Sequence, residues 1–188
     1  MSRLLRGVVL AITKGKNYYT IDSSFTAIVR SSVFGIPSLI IMFVVIVVIT
    51  YFALNRARYG RYIYAVGSNE EAARLSGIRT HRIKVSAYVI AGMLSGLAGV
   101  LLTARLSGAE TNAGDGWSLD AVSAVIIGGT SLRGGRGGIL NTLLGIFIIA
   151  VLNNGMTLMG VPTNYNQLIK GLLMLVAVLL DMSNRKKS

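Results

Sequence analysis

Long apolar stretches, each bounded by clusters of arginine, lysine or glycine, set the pattern of this chain. Residues 37–54 (PSLIIMFVVIVVITYFAL) carry no charge, and a helix needs roughly 20 apolar residues to cross a hydrocarbon layer about 30 Å thick. Pro37 suits a first helical turn, where its missing N–H costs nothing. Residues 85–106 form a second run, interrupted only by Arg105 near its end. Residues 139–159 form a third, with Asn141, Thr142 and the pair Asn153 and Asn154 among its few polar positions, and residues 165–180 a fourth, with Lys170 one turn inside its start. Residues 119–130 (LDAVSAVIIGGT) are too short to cross alone and are the ambiguous piece. Residues 1–13 predict the end of a helix or a short interfacial one. They do not read as a signal peptide, because the apolar core of residues 7–12 is short and Lys14 and Lys16 follow at once.

Charge changes this picture by giving the spans a direction. The loop of residues 55–84 holds Arg56, Arg58, Arg61, Arg74, Arg79, Arg82 and Lys84, and the tail of residues 181–188 adds Arg185, Lys186 and Lys187. Basic loops stay on the cytoplasmic side. Placing both there requires an even number of crossings between them, so residues 119–138 must also traverse, as a broken span. Arg133 and Arg136 then join the same face, which collects 12 of the 19 basic residues. The alternative is a re-entrant segment with the tail on the opposite side.

Composition excludes two other classes. The chain is 53% hydrophobic and only 14% charged, against about 25% charged in soluble domains, which excludes a disordered basic tail. The net charge of +12 would suit a nucleic-acid binder. Here, however, the basic residues fall in the gaps between apolar runs and form no binding face. The expectation is an all-α integral membrane protein, a polytopic helical bundle with a broken glycine-rich span, contacting lipid and no nucleic acid.

The broken span takes its character from residues 128–138, with six glycines in eleven positions. Gly129 and Gly134 have the spacing of a phosphate-binding loop, but Gly135 and Arg136 stand where that loop needs Lys and Ser or Thr. Glycine at this density lets the backbone turn sharply and lets helices approach closely. Irregular backbone at membrane depth survives only inside protein or beside a water-filled cavity, and such breaks often mark a solute path. Gly128, Gly129, Thr130 and Ser131 therefore either line a pathway or form a tight turn against other helices. Asn153 and Asn154, polar in a run of membrane length, are expected to face the bundle interior, where they line a pathway or bridge helices. Gly92, Gly96 and Gly99 form a small-residue stripe that reads as a packing surface, within the subunit or between copies.

The loop of residues 55–84 carries a second signal. Ser68 and Glu71 have the spacing of a capping box, Glu70 and Glu71 favour the positive end of a helix dipole, and Gly77 is a natural C-terminal stop. These residues predict a self-capped helix of about two turns outside the membrane. With its small residues Ala72 and Ala73 and one large apolar residue, Leu75, it suits docking into another protein's groove or is simply a capped surface helix.

The stretch from Tyr59 to Ile78 (YGRYIYAVGSNEEAARLSGI) resembles the coupling segment of permease subunits of bacterial sugar ABC importers, and residues 119–137 resemble the family's later motif. Residues 151–156 and 171–181 continue the likeness, which covers essentially the whole chain and is nearest to the ribose-type branch. The resemblance implies a subunit that forms the path for a ribose-like monosaccharide across the bacterial inner membrane. Its implied partners are a cytoplasmic ATP-binding subunit, an extracytoplasmic sugar-binding protein and a second permease copy. Glu70, Glu71, Ala72, Ala73, Arg74, Leu75 and Gly77 would form a short cytoplasmic coupling helix seated on the ATPase. The subunit itself would hold no cofactor, no metal and no catalytic residue. Members of the family run to roughly twice this length, so the chain reads as a single transmembrane permease domain that is the C-terminal half of a longer permease.

An ion-coupled secondary transporter or channel would also carry a broken helix and intramembrane polar groups, but it has no need of the capped cytoplasmic helix. Trp117, Tyr18, Tyr19 and Tyr165 fall at expected membrane interfaces, where aromatic rings anchor helices; the alternative for Trp117 is stacking on a sugar. His81 lies among Arg79, Arg82 and Lys84, and one histidine with no cysteine excludes ordinary zinc sites. Glu110, Asp115 and Asp120 are expected in a solvated outer loop, or in ion pairs with a binding protein. Lys170 and Asp181 are expected to snorkel toward opposite interfaces.

Overall fold

The computed structural model describes residues 2–175, apart from residues 20–22, 34, 112, 115, 132, 163, 164, 166, 167, 173 and 174. The tail of residues 181–188, Asp115 and Asp181 lie outside the described residues. The elements are α1 (Ser2–Thr13), α2 (Ser23–Arg30), β1 (Ser32–Val33), β2 (Ile36–Pro37), α3 (Ser38–Asn55), α4 (Arg58–Ser68), α5 (Glu70–Leu75), α6 (Thr80–Leu106), α7 (Trp117–Ile127) and α8 (Ile139–Leu158). Residues 168–172 are also helical. Among the described residues α3, α6 and α8 are long and apolar enough to cross a membrane. The fold is the all-α, polytopic membrane architecture that the hydropathy pattern predicts.

Helix boundaries follow local chemistry. α3 begins at Ser38, and Pro37 instead ends β2, paired with Ser32 across a minimal antiparallel hairpin. The Ser38 hydroxyl donates to the Val29 carbonyl at 2.9 Å. α6 starts five residues before the expected apolar run, because the residues Thr80 to Lys84 continue the helix on its N-terminal side. Its 27 residues make a rod about 40 Å long at 1.5 Å per residue.

The chain divides into two compact units, one of residues 1–49 and 85–113 and one of residues 50–84 and 114–188. In the first, Val29 and Ala104 are buried, and Phe25, Met42, Leu97, Val100 and Leu101 line a wholly apolar cleft beside them. The loop before α2 is tied to the segment after α6: Tyr18 bridges Ala109, the Asn17 amide oxygen accepts from the backbone and hydroxyl of Thr111 at 3.1 Å, and the Tyr19 ring lies against Gly108. Tyr19 is thus a packing residue as well as an exposed aromatic. Among the described residues the stripe Gly92, Gly96 and Gly99 has no neighbour: a Cβ built at any of the three finds no atom of them within 4 Å. All of α6 from residue 88 to 100 is exposed, so the packing partner expected for the stripe within the chain is not among the described residues.

The second unit has its core between α7 and α8. Ser123 and Ala124 (each 2% exposed) and Ile126 on α7 are buried, as are Gly145, Ile149 and Met156 on α8. The helices run antiparallel with their backbones in contact. A Cβ on Gly128 would fall against the Asn141 carbonyl, and one on Gly145 would reach the Ala124 carbonyl and sit 2.9 Å from the Gly128 nitrogen. Only glycine permits this approach, as small residues do between membrane helices generally.

Candidate coupling site and broken helix

α3 ends in a turn in which the backbone N–H groups of Arg56 and Ala57 both donate to the Phe52 carbonyl, at 2.9 and 3.2 Å. The chain then folds straight back, so that a Cβ on Gly60 would strike the Leu54 carbonyl. α4 is amphipathic: Gly60 and Val66 are buried, Ile63, Tyr64 and Gly67 half-buried, and Arg58, Arg61 and Tyr62 exposed. The 3.6-residue period puts the arginines on one face and the small and apolar residues on the other.

One residue joins α4 to α5. Asn69 is the C-cap of the first, its N–H donating to the Ala65 carbonyl at 3.1 Å, and the N-cap of the second, its side-chain oxygen accepting from the Ala72 N–H at 3.0 Å. The capping box expected at Ser68 is therefore not formed. Ser68 is the last residue of α4, and the cap moves on by one, to a residue type that caps as well as serine does. Glu71 does not reach back to a cap; it pairs with Arg74 at 2.8 Å, one turn on, in an exposed ion pair. The C-terminus forms as expected. Gly77 adopts φ +81°, the Ile78 N–H donates to the Ala73 carbonyl and the Gly77 N–H to the Arg74 carbonyl, the paired bonds of a Schellman stop.

α5 is six residues long. Ala73 faces inward and is buried, while Glu71, Ala72 and Arg74 are exposed and Leu75 is 81% exposed. Lys84, on the first turns of α6, meets Glu70 at 2.5 Å. That hydrogen bond holds the Glu70 carboxyl below the ordinary value of 4.5, outweighing the opposing effect of desolvation. α5 is thus fixed at its N-terminal end twice over, through Asn69 to α4 and through Glu70 to Lys84. His81 is exposed nearby.

α7 ends by the same device as α5. Gly129 takes φ +77°, its N–H donates to the Ile126 carbonyl, and the Thr130 N–H donates to that of Val125. A tight turn follows. Buried Ser131 accepts from the Gly134 N–H through its carbonyl and from the Arg133 N–H through its hydroxyl, and its own N–H donates to the Arg136 carbonyl at 3.0 Å. Thr142, in the first turn of α8, donates back to Gly138 at 3.0 Å and lies 3.5 Å from the Thr130 hydroxyl.

This glycine turn sits directly on α4. A Cβ on Gly67 would lie 2.6 Å from the Gly135 nitrogen. One on Gly134 would lie 2.9 Å from the Gly67 carbonyl oxygen, and one on Gly135 would strike the Ser68 hydroxyl and lie 2.7 Å from the Ser68 Cα. The Tyr64 hydroxyl donates to the Gly137 carbonyl at 3.1 Å. The hydropathy pattern does not reveal this seat, because its partners are backbone atoms and two hydroxyl groups, those of Ser68 and Tyr64. The one signal for it is glycine on both sides, at Gly67 and in residues 134–137.

Asp120 and Lys170 are not the lone charges expected from the sequence. They form an ion pair of 2.8 Å with side chains only 21% and 24% exposed, linking the first turn of α7 to the helical residues 168–172. In an apolar environment two charges 50 residues apart in the chain stabilise each other more than either would by snorkelling alone. Asn153 is half-buried in line with Ile149 and Met156, whereas Asn154 is exposed. Successive helical residues lie about 100° apart, so one buried stripe takes only one of the two. Trp117 and Tyr165 are exposed, in keeping with interfacial aromatics. Among the described residues no cluster of histidine or acidic side chains could hold a metal ion.

Apolar helices of membrane length, a shorter apolar helix that ends in a glycine turn and packs on one of them, and a short capped polar helix together define a multi-pass membrane protein. Over residues 2–178 the chain matches, and it belongs to, the family described as branched-chain amino acid transport system / permease component. It is 46% identical over 187 residues to the ribose import permease protein RbsC of Bacillus subtilis (strain 168), covering 98% of this chain and 57% of that protein. It is 41% identical over 196 residues to RbsC of Escherichia coli (strain K12), covering 100% of this chain and 59% of that protein. It is 40% identical over 154 residues to the xylose transport system permease protein XylH of the same organism, covering 82% and 39%. The chain thus spans a little over half the length of the ribose permeases it matches. No solved structure matches it.

Proposed function

We propose that this chain serves in the transmembrane subunit of an ATP-driven importer and forms part of the path of a ribose-like monosaccharide across the inner membrane. ATP hydrolysis is assigned to a separate cytoplasmic subunit, delivery of the sugar to an extracytoplasmic binding protein, and the rest of the path to a second permease copy. The observation that carries this reading is α5, a helix capped at both ends whose large apolar residue, Leu75, is left exposed. Beside the small residues Ala72 and Ala73, such a residue suits insertion into a partner's groove. The names of the relatives, ribose and xylose import permeases, support the sugar class.

In this reading α5 docks on the ATPase through Glu71, Ala72, Arg74 and Leu75, while Glu70, Ala73 and Gly77 hold its geometry. The basic loop of residues 55–84 faces the cytoplasm. The seating of residues 134–137 on α4 supports a broken span that reaches the same face, with Arg133 and Arg136 beside that loop. Gly128, Gly129, Thr130 and Ser131 then serve as the turn that ends α7, and Asn153 as the polar member of the α8 stripe.

The test is Leu75→Asp in the importer complex reconstituted into liposomes. The expected result is normal membrane insertion with ATP-dependent ribose uptake lost; unchanged uptake would refute the docking role. Because the chain has no cysteine, a single cysteine at His81 or Arg133 reports sidedness without background. Labelling of either by an impermeant reagent from the outer face would overturn the topology.

A further inference from the structure

We infer that the glycine seat between α4 and the turn after α7 is the joint that carries movement of α5 into the broken helix, with Gly67, Gly135 and Tyr64 as its positioning residues. This inference rests on the importer reading above and adds the route by which that importer is driven.

α5 cannot move independently of α4, because Asn69 caps both helices and no free residue separates them. α4 cannot move independently of the turn at residues 134–137. The Gly67 backbone meets that of Gly134 and Gly135 directly, Ser68 meets Gly135 through its backbone and its hydroxyl, and the Tyr64 hydroxyl holds the Gly137 carbonyl at 3.1 Å. The backbone contact of Gly67 with Gly134 and Gly135 is stiff: close-packed atoms transmit displacement, and neither side has a rotamer to absorb it. The turn is stiff in its own right, closed by the bonds that Ser131 exchanges with Gly134 and Arg136. It continues directly into the Schellman end of α7, which is packed through Gly128 and Gly145 onto α8.

A push on α5 therefore reaches α7 through a continuous series of short contacts. At the far end of α7 stands the Asp120–Lys170 pair, a contact of 2.8 Å that a helix shift of a few ångströms breaks. Packed interfaces of this kind switch between discrete arrangements and do not deform gradually. The break in the helix thus has a mechanical use: it lets the inner end of α7 be gripped by α4 while α8 runs unbroken.

The test separates drive from stability. Gly67→Ala inserts a methyl group 2.6 Å from the Gly135 nitrogen, and Tyr64→Phe removes only the hydroxyl donor. Both are introduced into the full importer complex in liposomes, and uptake of radiolabelled ribose and ATP hydrolysis are measured on the same preparation. The expected result for Gly67→Ala is uptake lowered about tenfold with hydrolysis within about twofold of the parent. Tyr64→Phe should lower the ratio of uptake to hydrolysis about threefold. A ratio equal to the parent's in both variants, whether the two activities are unchanged or fall in parallel, overturns the joint. Should Gly67→Ala fail to reach the membrane, the ratio for Tyr64→Phe decides alone. Failure of the parent complex to take up ribose at all would count against the proposed sugar transport, and is read separately from the variant ratios.

Discussion

Replacing Lys170 with methionine tests the ion pair that ties α7 to the helical residues 168–172. Methionine keeps the length and apolar stem of lysine but leaves the Asp120 carboxylate without its partner 2.8 Å away, in a site where that carboxylate's side chain is only 21% exposed. Removing one member of a fully buried pair costs about 3–5 kcal/mol. Water reaches a fifth of this one, so we expect about 2–3 kcal/mol. At about 2–4 °C per kcal/mol for a chain of this size, the thermal midpoint should fall by about 5–10 °C. The chain provides its own reporter, because its single tryptophan, Trp117, lies one turn before Asp120 on α7. Unfolding in detergent micelles can then be followed by Trp117 emission without a label. The double variant Asp120→Asn with Lys170→Gln buries neither charge and should recover to within about 1 kcal/mol of the parent, because neutral replacement of a buried pair is often close to harmless. A Lys170→Met protein that unfolds with the parent, or a double variant no more stable than the single, would refute the assignment.

The α7–α8 contact gives a second test. Gly145→Ala forces a methyl group into the Ala124 carbonyl and should destabilise the hairpin by about 1–3 kcal/mol. Gly92→Ala, which meets nothing within 4 Å, should instead be neutral or gain up to about 1 kcal/mol of helix propensity; equal effects at the two sites would sink the packing argument. Asn69→Ala removes the side-chain cap of α5 at a cost of about 1 kcal/mol, seen as faster hydrogen exchange at the Ala72 amide. For the Glu70–Lys84 tie the pH dependence has a definite sign. The Glu70 carboxyl titrates below its ordinary 4.5, so the tie is fully present above that value and is lost as pH falls through the lowered one. Label-to-label distances between α5 and α6 should therefore hold at neutral pH and widen only in acid, and Glu70→Gln should be wide throughout.

The parts legible in the sequence were those written redundantly along the chain. Eighteen consecutive residues of α3 without a charge leave one reading, and the C-terminal stop at Gly77 follows from a single residue type with a single conformational use. The N-terminus of α5 was harder. Ser68 and Glu71 match a capping box by spacing, but α4 has its own 3.6-residue pattern running through Gly60, Tyr64 and Gly67 and claims Ser68 for itself. Two local patterns competed for one residue, and the longer helix won. The Asp120–Lys170 pair and the glycine seat were out of reach for different reasons. A pair 50 residues apart is fixed only by tertiary packing, and a contact made mostly by glycine backbone leaves little side-chain pattern to read.

The close crossing of the chain at Gly67, Gly134 and Gly135 also bears on heredity. No amino acid is smaller than glycine, so every missense change at these positions adds atoms where the fold has no room, and none can relieve the crowding by shrinking. The apolar faces of α3 and α6 can exchange leucine, isoleucine and valine freely, since lipid accepts them all. Sequence drift should therefore be strongly uneven, rapid along the greasy helices and nearly stopped at a few residues that carry no side chain.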